Sequence, residues 1–485
     1  MTTSRPRLTF GVLAVGAGVF SMLQSLVTPA LPTIQHELHS SQSTTTWVLT
    51  AYLLSASVFT PILGRVGDMV GKKRTLVAAT TALAVGCLLA ALAPSIGVLI
   101  LGRVVQGAGG AVFPLSFGII RDEFEPARIP AAVGAFAAVL AVGSGLGVVL
   151  AGPVISALDY HWLFWIPVAV VTAATLAAHL LIPESRVRTR GRVNWAAAGL
   201  LAAGLVALLL PISQATSWGW GSARVLGLLA AAAVLLVAWV LTEARSATPL
   251  IDMRIMRLPG VWTTNSAALL FGAGMFGVFA FLPQLVQIPR EAGYGFGASV
   301  TEAGLLMLPM LVTMFVFGIV SGRVQGVFSA KAQLATGAVL CGLPCASLAA
   351  WHGERWQIGL AAGVFGAGIG LAFSAMTNLI VGSVPPQQTG AASGMNANIR
   401  TVGGAIGAAV MSTVVTGNPR PDGLPREAGF SHGFLVLTLL CLAAALAACL
   451  VPAARRAPAR QAAGGAAEAP RESGAERATA AVGEG

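Results

Sequence analysis

Long apolar segments alternate with short polar segments along almost the whole chain, from residue 8 to residue 452. Each apolar segment has about 20 residues, which is the length a helix needs to cross the hydrocarbon core of a bilayer. The pattern therefore predicts an all-α polytopic membrane protein with fourteen transmembrane helices. We place them at residues 8–31, 45–63, 75–94, 96–119, 131–157, 163–182, 195–213, 222–242, 261–287, 299–320, 333–351, 356–381, 391–415 and 431–452.

The amino-acid composition agrees with this pattern and excludes a soluble domain. The chain is 56% hydrophobic and 10% charged, against roughly 25% charged residues in soluble domains. Its net charge of +11 would suggest nucleic-acid binding in a soluble protein, but in a membrane protein basic residues gather in cytoplasmic loops. We therefore expect the lipid bilayer, and no nucleic acid, as a partner. All five cysteines fall in apolar segments, which favours packing over disulfides or metal binding.

The lysine and arginine residues predict the orientation. When successive segments are assigned to alternate sides of the membrane, most of the 29 basic residues fall on the side of the N-terminus. By the positive-inside rule both termini are then cytoplasmic, in a multi-pass protein of the cell membrane. Residues 453–485 are rich in Ala, Gly, Arg and Glu without an apolar segment, which predicts a disordered cytoplasmic tail.

An internal repeat divides the chain into two halves. Gly64-Arg65-Val66 recurs as Gly322-Arg323-Val324, and at nearly the same offset Gly107-Ala108-Gly109 recurs as Gly366-Ala367-Gly368. Such self-similarity is typical of transporters built from two six-helix bundles. The offset is longer than six helices need, which leaves one inserted helix pair. We predict a first bundle at 1–192, the inserted pair at 193–256, a second bundle at 257–452 and the tail at 453–485.

The segment from Gly64 to Arg74 packs five charged side chains between two apolar segments. Because charges are costly in hydrocarbon, we interpret it as a short water-facing turn between two membrane helices. Its glycines permit close helix approach and a sharp turn.

The pattern Gly-x-apolar-x-Asp-x-x-Gly-Lys-Lys in this segment resembles motif A of the major facilitator superfamily of transporters. Together with the inserted pair, it resembles the fourteen-helix drug:proton antiporter branch, over nearly all of residues 8–452. The resemblance implies that Asp68 faces the N-terminus of a helix in the opposite half, and that it and the loop bases latch the halves together at the cytoplasmic side. Ordinary loop charges are the alternative. The implied latch residues are Gly64, Arg65, Gly67, Asp68, Gly71, Lys72 and Lys73.

Arg103 lies within the fourth predicted helix, in a segment that resembles motif B, whose arginine is associated with proton coupling. An arginine there costs roughly 2.5–3.5 kcal/mol on insertion scales. We therefore expect it to face a polar cavity or a partner. The alternative is that its side chain snorkels to the outer surface.

The fifth predicted helix resembles motif C, the antiporter motif. Its glycines allow close packing and its proline bends the helix. The chain departs from the motif at Gly147-Val148 and Ala151-Gly152, where the family has Gly-Pro and Gly-Gly pairs. General glycine-rich packing is therefore the alternative. The candidate residues are Gly143, Gly147, Gly152 and Pro153.

The first helix lacks the acid that relatives of the fourteen-helix branch usually carry. Leu23 stands at the aligned position, beside Gln24. If transport is coupled to protons, the candidates besides Arg103 are Asp159 and Glu302, both predicted at outer helix ends. The alternative for each acid is an ordinary solvated charge at a loop.

Polar side chains within apolar segments mark transport paths or join helices. The substrate-path candidates are Gln24, Gln106, Asn265, Gln284, Asn378, Asn398 and Arg400. With few embedded charges, the path should be mostly apolar and aromatic, which suits lipophilic compounds. The aromatic candidates are Phe271, Phe276, Phe279 and Phe281, with lipid-facing positions as the alternative.

The sequence contains no phosphate-binding loop, no metal-ligand cluster and no catalytic pair of acids, so we expect neither an enzyme nor a cofactor. The leading hypothesis is a secondary transporter that exports hydrophobic or amphipathic small molecules, such as drugs and antibiotics, in exchange for protons by alternating access. A proton-independent facilitator or a symporter is the alternative, since the first helix lacks an acid. A non-transporting sensor would need a dedicated soluble domain, which the sequence does not indicate.

Overall fold

Fourteen helices that are long and apolar enough to cross a membrane make up most of the chain, as predicted. The structure is a computed structural model that describes residues 6–27, 30–185, 193–246, 248–324, 327–418, 420–422 and 424–452. The predicted tail at 453–485 lies outside the described residues. All fourteen helices belong to one packed unit that ends at Val451.

The helices are numbered here in chain order. The first six are α1 Pro6–Leu26, α2 Gln42–Val70, α3 Lys72–Ala91, α4 Ile96–Glu123, α5 Ile129–Ala157 and α6 Trp162–Leu181. The next two are α7 Trp195–Trp218 and α8 Ala223–Arg245. The last six are α9 Pro259–Gln287, α10 Thr301–Val324, α11 Ala330–Ala350, α12 Arg355–Ser383, α13 Thr389–Thr416 and α14 Glu427–Cys449. Short helices at Leu31–Glu37 and Met253–Met256 connect α1 to α2 and α8 to α9.

Helix packing repeats between α1–α6, here called the first half, and α9–α14, the second half. In the first half α1 packs on α5, and α3 packs on α4 and α6. In the second half α9 packs on α13, and α11 packs on α12 and α14. Where the halves meet, α2 packs on α13 and α10 packs on α5, which are also equivalent pairs. The three-dimensional contacts therefore follow the repeat seen in the sequence.

The inserted pair lies at the periphery. Helix α7 contacts α2 and α13, whereas α8 packs mainly on α7. Apolar side chains such as Leu226, Val234 and Val237 of α8 are exposed, as expected for a helix that faces lipid. The predicted division at residues 192, 256 and 452 stays a prediction, and its first boundary lies outside the described residues.

Helix α2 extends further than predicted and corrects the interpretation of the charged segment. The helix continues to Val70, and α3 begins at Lys72, so that Gly71 alone forms the turn. Gly71 has φ +135, a conformation that residues with a side chain rarely adopt. Asp68 and Lys72 are each 1% exposed, so neither faces water as predicted. Both lie against neighbouring helices.

Candidate functional site

The end of the bundle at Gly71, here called the basic end, joins the two halves through Asp68. The Oδ2 atom of Asp68 accepts a hydrogen bond from the backbone N–H of Ala391, at 3.1 Å, in the first turn of α13. The first N–H groups of a helix have no partner within the helix, and its dipole favours an anion there. Asp68 therefore has the contact that the resemblance implied, with the N-terminus of a helix in the opposite half.

Glycines let α2 and α13 approach closely enough for this bond. A methyl group at Gly64 would lie 2.9 Å from the carbonyl oxygen of Gly390, and one at Gly390 would lie 2.8 Å from that of Gly64. A methyl group at Gly390 would also lie 2.9 Å from the Asp68 carboxylate. The two backbones are thus in direct contact, and any larger residue at either position must separate them.

The loop bases make their contacts within the first half, which corrects the expectation that they latch the halves together. Lys72 Nζ lies 2.6 Å from Asp122 Oδ2 at the end of α4, and both side chains are buried. The backbone N–H of Lys73 donates to Glu184 at 3.2 Å. Gly71 turns the chain so that Lys72 runs under α4, where a methyl group at Gly118 would lie 2.9 Å from its stem. Arg65 makes no ion pair with Asp68 among the described residues.

Arg121 provides a second tie between the halves that the sequence interpretation missed. Its Nη1 atom lies 2.7 and 2.9 Å from the carbonyl oxygens of Val381 and Val384, and 2.7 Å from the Thr389 hydroxyl. These acceptors sit where α12 ends and α13 begins. In the sequence Arg121 counted only as one more cytoplasmic base, since its partners lie in the other half. The feature of the sequence that could have indicated this role is the position of Arg121 at the end of a glycine-rich helix.

A cavity lies between the halves, in two adjoining compartments. The central compartment, about 80 Å³, is lined by residues such as Phe20, Thr60, Phe113 and Arg400. The outer compartment, about 300 Å³, lies toward the end opposite Gly71, here called the far end, and is lined largely by apolar side chains such as Met307 and Leu311. Gln24, Tyr52, Ser144, Phe276 and Phe279 line both compartments. The size and apolar lining suit a drug-sized lipophilic molecule.

Only some of the predicted path residues line this cavity. Gln24, Asn398 and Arg400 do. The others do not line either compartment, because polar side chains in a helix bundle also pair with one another, and their place on a substrate path stays a prediction. Gln106 accepts from Arg103, Asn265 accepts from Asn396, Asn378 donates to the carbonyl of Pro130, and Gln284 is exposed away from the cavity. Phe271 and Phe281 are buried in the core instead.

Arg400 is the one charged side chain among the described residues that line the compartments. It is 8% exposed. Its Cζ atom lies 4.1 Å from the centre of the Phe373 ring, a cation–π contact. Its stem packs against α9 at Gly272, where a methyl group would lie 3.0 Å from Arg400 Cγ. No acid of the described residues forms an ion pair with it.

Arg103 is fully buried, so the snorkelling alternative is wrong. Its Nε donates to the carbonyl of Val48 at 3.0 Å, and its Nη1 donates to the carbonyl of Leu23 at 3.3 Å and to Gln106 at 2.7 Å. The Tyr52 ring lies 4.0 Å from its Cζ. Neutral hydrogen-bond acceptors and the face of the Tyr52 ring thus stabilise the Arg103 guanidinium in place of an acidic partner.

The orientation of α1 explains which residue faces the substrate. Leu23, at the position where relatives carry an acid, is fully buried beside Arg103, whereas Gln24 lines the cavity. Ser21 and Ser25 bond to α5, the former through a 3.1 Å contact between its hydroxyl and that of Ser144. The polar groups that the first helix presents to the cavity are therefore all neutral.

The two acids proposed for proton coupling lie outside the cavity. The Asp159 side chain is 57% exposed and accepts from the backbone N–H of His161 at 2.7 Å. Burial, with smaller effects from the charges of Glu37 and Asp159, raises the pKa of the neighbouring Tyr160. Glu302 caps the start of α10 in a capping box with Ser299, and its side chain is 48% exposed. Both acids serve local roles at helix ends, in line with the alternative that each is an ordinary solvated charge at a loop.

The glycines of α5 contact two different neighbours. Methyl groups at Gly143 and Gly147 would overlap the backbone of α1, at Gly18 and Met22. A methyl group at Gly152 would lie 2.7 Å from the hydroxyl of Thr301 in the second half. Pro153 lies within the helix, which continues to Ala157. This helix therefore joins the first helix to the opposite half near the far end.

Comparisons with known proteins agree with this architecture. The sequence model of the Major Facilitator Superfamily matches residues 13–408 and 266–481. The cephamycin export protein CmcT of Amycolatopsis lactamdurans is 32% identical over 89% of this chain and 90% of its own length. The tetracenomycin C resistance and export protein of Streptomyces glaucescens is 28% identical over 86% of this chain and 78% of its own. The crystal structure of the human organic anion transporter MFSD10 (TETRAN) has the same fold, with a TM-score of 0.66 at 16% identity over 92% of this chain and all of that chain.

Proposed function

The chain belongs to the major facilitator superfamily of membrane transporters, and we propose that it exports hydrophobic or amphipathic small molecules from the cell. The observation that carries this proposal is the apolar, aromatic cavity between two halves that meet at Asp68 and Ala391. The relatives named as antibiotic export proteins support the direction of transport.

Alternating access is the proposed mechanism. With the basic end in the cytoplasm, the structure corresponds to a state that is closed on the cytoplasmic side, with the larger compartment toward the outside. Opening to the cytoplasm requires that Asp68 release Ala391 and that Arg121 release its carbonyl acceptors. Rocking of the two halves about the cavity then exposes the substrate to each side in turn.

Proton antiport is our first proposal for the driving force, on the resemblance of the Arg103 and α5 segments to the antiporter motifs. Because no described acid lines the cavity, a coupled proton would act at the junction of the halves instead. Asp68 is the candidate, since protonation would remove the charge that attracts it to the N-terminus of α13. The lack of an acid among the described lining residues favours the second candidate, a proton-independent facilitator.

Dye uptake into inside-out membrane vesicles tests these proposals. Vesicles that contain the protein are expected to accumulate a lipophilic dye when the interior is made acid, and to lose it when nigericin collapses the pH gradient. A facilitator would speed equilibration of the dye without accumulation. Uptake equal to that of vesicles without the protein, for a panel of dyes, would contradict export altogether. Asp68→Asn is expected to remove the dependence of uptake on the pH gradient, and Asp159→Asn is its matched control, since Asp159 is an exposed acid.

A further inference from the structure

We infer that the cavity selects amphipathic organic anions, with an aromatic body and a carboxylate or ionised phenol that binds Arg400. This inference rests on the proposed function and names the substrate class of the same site. The observation behind it is a buried, unpaired cation in a cavity without an acid among its described lining residues.

The position of Arg400 is built rather than incidental. Gly272 makes room for both the backbone and the stem of Arg400 on one side, and the Phe373 ring covers its guanidinium on the other. The cation–π contact offsets only part of the cost of removing this charge from water. A ligand that brings a negative charge would supply the remaining partner, and the planar guanidinium matches a carboxylate with two parallel hydrogen bonds.

Neighbouring polar atoms are also free to bind such a group. The hydroxyl of Ser57 lines the central compartment, is buried and has no hydrogen-bond partner among the described residues, so that it can donate to an anion. The hydroxyl of Ser393, in a small pocket on the other side of Arg400, is likewise unpaired. Buried polar groups are rarely left without partners in a finished structure, so these atoms also indicate a polar ligand group here.

The two compartments then bind different parts of the ligand. Phe276, Phe279 and Met307 give the outer compartment an apolar surface for the aromatic body. Arg400 lies in the central compartment, nearer the basic end, and takes the acidic group. An organic cation of the same shape would face an unshielded positive charge and is rejected.

Isothermal titration calorimetry with matched probes tests this assignment. Purified protein in dodecyl maltoside is titrated with naphthalene, anthracene and anthraquinone carboxylates, and with the carboxamide of each. For every scaffold that binds, the wild-type protein is expected to prefer the carboxylate by roughly 10- to 100-fold, since a hydrogen bond to a charged group is stronger than one to a neutral group. Arg400→Gln is expected to abolish this preference, because the carboxylate loses more affinity than the carboxamide when the guanidinium is removed.

Two further variants separate charge from folding. Arg323→Gln removes an exposed arginine of the same half and is expected to leave both affinities unchanged. Arg400→Lys keeps the charge and is expected to retain a carboxylate preference with weaker binding. This variant still tests the inference if Arg400→Gln fails to fold. A lysine variant that binds carboxamides without a carboxylate preference would contradict the inference.

The remaining outcomes are distinct from one another. Equal affinity for both forms in the wild-type protein, or a preference that Arg400→Gln leaves intact, would overturn the anion assignment while export stands. Binding of neutral carboxamides that requires chloride and is lost in gluconate would show that the anion is inorganic, which also overturns it. If no scaffold binds in either form and none is transported by vesicles, the proposed function fails and the inference fails with it.

Discussion

The two ends of the bundle differ in how they join the halves. At the basic end, hydrogen bonds cross between the halves from the backbone N–H of Ala391 to Asp68, from Arg121 to the start of α13, and from Asn378 to Pro130. Toward the far end, the described contacts between α5 and α10 are close packing, and the larger compartment lies between the halves. Closure at the basic end thus depends on polar bonds in addition to close glycine packing, and water can replace those bonds when the bundle opens.

The free energy of these hydrogen bonds suits a conformational switch between the closed and the open state. A hydrogen bond that involves a charged group contributes about 1.5–3 kcal/mol, so Asp68 and Arg121 together favour the closed basic end by a few kcal/mol. Such a difference leaves the other state accessible, because conformational equilibria of a few kcal/mol are readily shifted by a ligand. Substitutions that weaken or preserve the bonds at this end therefore test how it closes.

Asp68→Ala should have the largest effect. It removes the carboxylate that accepts from Ala391 and leaves the first N–H groups of α13 without this partner. We expect transport to fall by roughly 10- to 100-fold, in line with the loss of one charged hydrogen bond. The measurement is the initial rate of dye uptake per amount of protein in inside-out vesicles. A rate equal to that of Asp159→Ala, the matched control at an exposed acid, would show that the carboxylate has no part in closure.

Arg121→Gln should have the next largest effect, because a shorter neutral side chain cannot reach Val381, Val384 and Thr389 together. Transport is expected to fall by about tenfold, measured by the same uptake rate. Arg128→Gln is the matched control, since Arg128 is exposed and pairs only with the neighbouring Glu125. Similar losses in both variants would attribute the effect to net charge at this end instead.

The helix count and the repeat could be predicted from the sequence, because apolar segment length and motif recurrence are local features. The burial of Asp68 and the role of Arg121 could not, since their partners lie more than 250 residues away. Which of the predicted path residues line the cavity could not be predicted for a related reason. A helix with polar residues on several faces does not reveal which face meets the cavity, so Leu23 and Gln24 were distinguishable only after packing.

The repeat offers a matched pair of glycines for a smaller effect. Gly64→Ala would press on Gly390, and Gly322→Ala would place a methyl group 2.7 Å from the backbone of Ala131, so each separates the halves at the basic end. Overpacking of this kind costs roughly 1–3 kcal/mol. We expect each to raise the rate at which a maleimide labels buried Ser393→Cys, in a Cys449→Ser background.

Gly97→Ala is the control for both glycines, since nothing lies within 4 Å of a methyl group at that position. Its labelling rate is expected to match that of the unsubstituted background. If Gly64→Ala and Gly322→Ala also match it, close packing of the glycines does not hold the basic end closed.

Glu302→Ala should have the smallest effect on transport. It removes the Glu302 half of the capping box at the start of α10, leaves the N-cap bond of Ser299, and is expected to cost at most about 1 kcal/mol of stability. Glu302 is half exposed and lies outside the cavity, and an exposed charge contributes little free energy. The uptake rate and its pH dependence are therefore expected to stay within about twofold of the wild-type values. A lost pH response in this variant would instead restore Glu302 as the coupling residue.

The most direct test of alternating access is a pair of distances, measured by double electron–electron resonance on spin-labelled protein in nanodiscs. Labels at Arg128 and Arg323 report the basic end, and labels at Glu37 and Glu291 report the far end. All four positions are exposed, and Cys449→Ser removes the exposed native thiol. Introducing Asp68→Ala should add a longer component at the basic end and a shorter one at the far end. Changes in the same direction at both ends, or no change at either, would contradict the account.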